Sequence, residues 1–133
     1  MLSAYPAIFY KEPSGYSVVF PDLGDLATCG ETLNEALAMA IDCLAGYLYT
    51  LKRAGKKAPE PSDLRALRPD YPEVEHFTNI VTVDVNDYAK HHFEKSVKKT
   101  LTIPSWLNDA AEAAHLNFSS ILQSGLKQQL HLD

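Results

Sequence analysis

The sequence predicts an α+β protein made of two unlike units. Three observations carry this. Short period-2 apolar runs broken by Pro and Gly fill the first thirty residues, which is hairpin patterning. They lead directly into one long amphipathic helical stretch, "ETLNEALAMAIDCLAGYLYTLKRAG". The last third holds one further period-2 run, "VKKTLTI", followed only by helical periodicity.

Taken in order, "AYPAIFYKE" (Ala4–Glu12) reads as a strand, "PSG" as a turn and "YSVVF" (Tyr16–Phe20) as a second strand, with Gly15 supplying the freely rotating position of the hairpin. "PDLGDLATCG" continues as a turn and a third short strand around Ala27–Cys29. Thr32 and Glu35 form an S/T-x-x-E capping box, the signature of a helix start. Leu33, Leu37, Ala40, Ile41, Leu44, Leu48 and Leu51 recur at three- and four-residue steps along one face of that helix. Lys52 and Arg53 complement the dipole in its last turn, and Gly55 closes it. "KKAPEPSDLRALRPDYPEVEHF" carries four prolines and reads as an irregular surface excursion. "TNIVTVDVND" (Thr78–Asp87) is β-branched and alternating, a further strand, and "YAKHHFEKS" is a linker or short helix. The expected organisation is a β-β-β-α-β unit over residues 1–87, a linker over 88–96 and a β-α-α unit over 97–133.

Composition bounds the function. The chain has 133 residues, 46% of them apolar, enough for at least one core. Its net charge of −5 argues against a protein that coats nucleic acid. The charge is uneven: residues 1–96 hold 14 acidic against 9 basic side chains, and residues 97–133 hold three of each. An acidic first unit suits a basic protein partner, although acidic surfaces also serve solubility. Cys29 and Cys43 have no metal or redox spacing, and Cys43 falls in the apolar helical pattern. The first residues do not read as a secretion signal and no apolar run reaches membrane length, which points to the cytoplasm.

No catalytic constellation emerges. Asp22, Asp25, Asp84 and Asp87 have no spacing that makes them converge on a metal pair, and the first strand offers only Glu12, at its turn end. His91 and His92 are adjacent and would point apart; His76, His115 and His131 are isolated. Neither enzymatic activity nor a metal or cofactor is expected.

The second unit poses a pairing problem. Val97–Ile103 alternates until Pro104 and has no partner strand within 97–133. Leu107, Ala110, Ala111 and Ala114 mark one face of a first helix, with Pro104 at or near its first turn; Ser119 is an expected N-cap, and Ile121, Leu122, Leu126 and Leu130 mark a second helix. A unit of this size with one strand is too small to hold a core alone. Pairing of the strand with its copy in a second chain solves this, burying Leu101, Ile103, Leu107 and Leu122 and placing both sets of Lys98, Thr100 and Thr102 on one outer face. A two-stranded ribbon fits the DNA major groove, where those side chains reach base edges, while Ser119 and Ser120 at a helix N-terminus suit phosphate. The pattern "KKTLTIPSWL" followed by "HLNFSSIL" resembles the ribbon-helix-helix repressors, although Lys98 and Lys99 stand nearly alone where that family carries more positive charge. A strand used only for dimerisation would carry the same pattern.

The first unit resembles the HicB antitoxin family. The residues concerned run from "YPAIFYKEPSGYSVVFPDLGDLATCGETLNEALAMAIDCLAGYL" through "APEPSDL" to "IVTVDV", and the characteristic piece is G-Y-x-V-x-F-P-D-L followed by T-x-G-x-T-x-x-E-A-L. The resemblance implies a truncated ribonuclease-H-like sheet that binds and occludes a small basic toxin ribonuclease of HicA type. It also implies a second unit, ribbon-helix-helix or helix-turn-helix depending on the member, that represses the shared operon; here the strand before Pro104 favours the ribbon form, a homodimer on operator DNA that pairing of the first units would make a tetramer. Asp22, Asp25, Glu31 and Glu35 are the expected toxin contacts. The alternative is a free-standing ribbon-helix-helix regulator whose first unit senses a ligand or oligomerises.

Overall fold

The computed structural model describes residues 1–94 and 96–132, in two compact units, Met1–Lys95 and Ser96–Asp133. In the first unit, strands β1 (Ser3–Glu12), β2 (Gly15–Phe20) and β3 (Leu26–Gly30) are followed by helix α1 (Leu33–Arg53), strand β4 (His76–Val83) and helix α2 (Val85–His92). The four strands form one antiparallel sheet in the order β3-β2-β1-β4. Glu12 pairs with Gly15 across the β1–β2 turn, and Gly15 has φ +147°, which only glycine adopts without strain.

Alternation along each strand sorts side chains onto two faces. Tyr5, Ala7 and Phe9 of β1, Val18 and Phe20 of β2, and Val81 and Val83 of β4 make a core with Ala36, Ala40, Leu44, Ala45 and Leu48 of α1. The buried stripe keeps Ala40, Leu44 and Leu48 of the series that the sequence singles out, but at the start of the helix it turns to Ala36, which is fully buried, while Leu33 is 40% exposed. The reason is close approach. A Cβ on Gly30 would lie 2.4 Å from the Ala36 nitrogen, so the first turn of α1 rests directly on the Gly30 backbone. Thr32 caps α1 as expected, its hydroxyl accepting from the Glu35 N–H at 3.1 Å. Gly55 follows the C-cap Ala54 with φ +68°, its N–H and that of Lys56 donating to Lys52 and Leu51, a Schellman closure.

Two expectations are corrected. The fourth strand stops at Val83 rather than Asp87, because Asp84 is an N-cap whose side chain accepts from the Asp87 N–H and starts α2. Residues 88–92 of the expected linker 88–96 are thus helix. Its Ala89 is buried, and the Tyr88 hydroxyl donates to Asp42 of α1 at 2.9 Å. In the second unit, α3 (Ser105–Ala113) and α4 (Phe118–Gln129) form as expected, but residues 97–103 carry no strand ladder within the chain. A strand is defined by its partner, and none lies within this unit.

Candidate interaction surfaces

The proline-rich excursion is tied to the sheet as a strap by three long-range side-chain anchors. The Tyr5 hydroxyl donates to the Pro59 carbonyl. Asp22, in the turn just after β2, accepts from the Ser62 N–H at 2.7 Å and from its hydroxyl at 2.6 Å. The Asp70 N–H donates to the Tyr10 hydroxyl at 2.9 Å. Tyr5 belongs to the helix-side face of the sheet and Tyr10 to the opposite one, so the strap passes around the end of β2. Pro6, Ile8 and Tyr10 on that opposite face of β1 are all buried. Burial, reinforced by the charges of Glu60 and Asp22, raises the Tyr5 hydroxyl above its ordinary value and keeps it a donor.

Of the four acidic residues expected at a toxin contact, Asp22 is spent within the fold: both of its oxygens are engaged by Ser62. Asp25 is exposed, with φ +58°, in the turn before β3. Glu31 and Glu35 are exposed beside the N-terminus of α1. Among the described residues, no three His, Cys, Asp or Glu side chains are placed to share a metal ion. Burial and the neighbouring Asp42 push the Cys43 thiol up, so it stays protonated. His91 and His92 turn their Nδ1 atoms to the carbonyls of Asp87 and Tyr88, one helical turn back.

In the second unit Lys98, Thr100 and Thr102 are all exposed. So are Leu101, Ile103, Leu107 and Leu122, together with Trp106, Leu116, Phe118, Ile121, Leu126 and Leu130. No described side chain of this unit is buried. Pro104 is the N-cap of α3, its carbonyl accepting from the N–H groups of Leu107 and Asn108. The expected N-cap Ser119 is corrected to Asn117, whose side chain accepts from the Ser120 N–H at 3.0 Å. Asn117 wins because Ser119 lies a full step inside the first turn. The Ser120 N–H is therefore already used, while the N–H groups of Phe118 and Ser119 lie in the first turn, where the helix supplies no acceptor.

The profile of "HicB_like antitoxin of bacterial toxin-antitoxin system" matches residues 5–125, across both units. The chain belongs to the HicB-like antitoxin family. "Antitoxin HicB 2" of Photorhabdus laumondii is 38% identical over 58 residues, a stretch that is 44% of this chain and 42% of that protein, so the match spans less than half the length of the curated relative. A chain of the "Toxin-Antitoxin complex from Streptococcus pneumoniae" is 33% identical, with a TM-score of 0.62, covering 97% of this chain and 99% of that one. The N-terminal domain of the Burkholderia pseudomallei antitoxin HicB is 25% identical with a TM-score of 0.51, covering 62% of this chain and 99% of that one.

This HicB-like antitoxin holds features that its sequence does not announce. The strap anchors join residues 40 to 60 positions apart, and no local pattern marks them. The Asp84 cap did carry a signal, an Asp-x-x-Asp spacing ahead of "YAKHH", which the β-branched run before it masks. None of the described helices is long and apolar enough to cross a membrane.

Proposed function

We propose that this antitoxin works from both ends. The first unit, read as a truncated ribonuclease-H-like sheet, binds and covers a small basic toxin ribonuclease of HicA type. The second pairs with its copy as a ribbon-helix-helix module and represses its own operon at operator DNA. The observation that carries this is the second unit's apolar exposure. Leu101, Ile103, Leu107, Leu122 and Leu126 recur at strand and helix spacing and are all exposed, and a 37-residue unit without a core does not hold its fold alone. A second copy supplies the missing strand and the missing cover in one step. Lys98, Thr100 and Thr102 then stand on the ribbon's outer face for base edges, with the first turn of α4 at Ser119 toward phosphate.

The test is an anisotropy titration of the full chain onto its own upstream DNA and a scrambled control at two salt concentrations. Preference for upstream DNA that weakens with salt is expected. Lys98→Ala and Thr100→Ala should weaken that binding while leaving dimer mass and toxin binding unchanged. Dissociation of the dimer by either variant overturns the outer-face assignment. Equal binding to both DNAs leaves the second unit as a dimerisation device.

A further inference from the structure

On the sheet face opposite α1, the strap leaves an uncovered groove of about 350 Å³. It is lined by Tyr10 and Glu12 of β1, Val19 of β2 and Ala27 of β3, and by Tyr71 and Val74 of the strap. We infer that this groove is the anchor site for a cationic side chain of the basic partner, an arginine lying against Tyr71 with its guanidinium at the acidic rim. The inference rests on the antitoxin reading above and gives that reading a site.

Four observations support the occupant. Groove size comes first: it lies at the small end of ligand-holding pockets, so it takes one or two side chains rather than a helix. Second, Tyr71 is 59% exposed although it belongs to a strap that is otherwise tied down, and it meets Tyr10 edge-on at 5.8 Å, leaving ring surface open. Arginine stacks on such rings while its apolar stem covers aliphatic lining. Third, the charge around the groove is negative. Glu12 is held in place by the Ser17 hydroxyl, which donates to its Oε1. Exposed Asp70, Glu73 and Glu75 adjoin the groove-lining Tyr71 and Val74 along the chain. Fourth, the nearby cations are turned to other tasks. Lys11 places its Nζ 4.8 Å over the Tyr16 ring, and the Arg68 guanidinium donates to the carbonyls of Arg65 and Leu67. An apolar slot with a pinned carboxylate and an acidic border favours a long apolar stem ending in positive charge, and it repels an acidic partner.

The experiment is a kinetic binding titration of the full chain against the basic product of a HicA-type toxin gene, carrying an inactivating substitution. Ala27→Arg fills the groove with like charge from an exposed position, and Tyr71→Ala removes the stacking ring; an unchanged melting temperature confirms that each variant is folded. Both should weaken binding by at least tenfold, mostly through faster dissociation, whereas Glu73→Lys with Glu75→Lys should mainly slow association. If the wild-type chain binds and both groove variants bind equally well, the groove is overturned and the antitoxin reading stands. If the wild-type chain does not bind the basic product at all, both fall.

Discussion

Gly30→Ala tests the packing that holds the first unit together. The added Cβ would lie 2.4 Å from the Ala36 nitrogen, 2.7 Å from its Cα and 2.8 Å from the Glu35 carbonyl carbon. All three are backbone atoms, so no side chain can rotate away. The first turn of α1 must retreat by roughly 1 Å to restore ordinary contact, in a close-packed interior that resists such shifts. Overpacking of this kind costs about 1–3 kcal/mol. Displacing the turn also strains the Thr32 cap, worth about 1 kcal/mol. Together the loss is about 2–4 kcal/mol, which in a unit of about this size lowers the melting temperature by roughly 10–25 °C. Chemical denaturation followed by a signal confined to the first unit measures it, with the full chain in both samples. Because the clash is with backbone, Ala36→Gly should not rescue the variant. A loss below about 0.5 kcal/mol, or full rescue by Ala36→Gly, refutes the close approach.

Three further outcomes are expected. Asp22→Ala removes both anchors on Ser62 and should cost about 1–3 kcal/mol of strap docking, read as faster amide exchange at Ser62. His115, at φ +56°, closes α3 in a Schellman geometry through Leu116 N–H to the Ala111 carbonyl, so His115→Gly should raise stability by about 1 kcal/mol in thermal melts. Asp84 is held below its ordinary value of 3.8, first by the Asp87 N–H and then by the N-terminal ammonium. A depressed carboxylate stabilises the fold above its unfolded value and loses that contribution as pH falls toward its folded one. Acid titration should therefore loosen α2 below about pH 4, and Asp84→Asn should flatten that slope.

The sequence alone determined what neighbouring residues encode. The hairpin follows from alternation and Gly15, the start of α1 from Thr32, and the open apolar character of the second unit from one strand followed by two helices. Family membership was legible too, since the motif from Gly15 to Leu37 lies in one continuous stretch. Where two local signals competed, the reading failed: β-branched patterning to Val83 hid the Asp84 cap, and Ser119 stood where Asn117 had the better position. Leu33 was placed inward because periodicity gives a stripe, not how near the sheet comes. Only the tertiary structure decided that Gly30 draws α1 down onto its alanines. Only it turned Asp22 from a surface charge into a strap anchor and left a groove between Val19, Ala27 and Tyr71. The strap anchors join residues 40 to 60 positions apart, and even the six-residue Gly30–Ala36 approach depends on how α1 lies across the sheet, so none of these contacts exists before the sheet has formed.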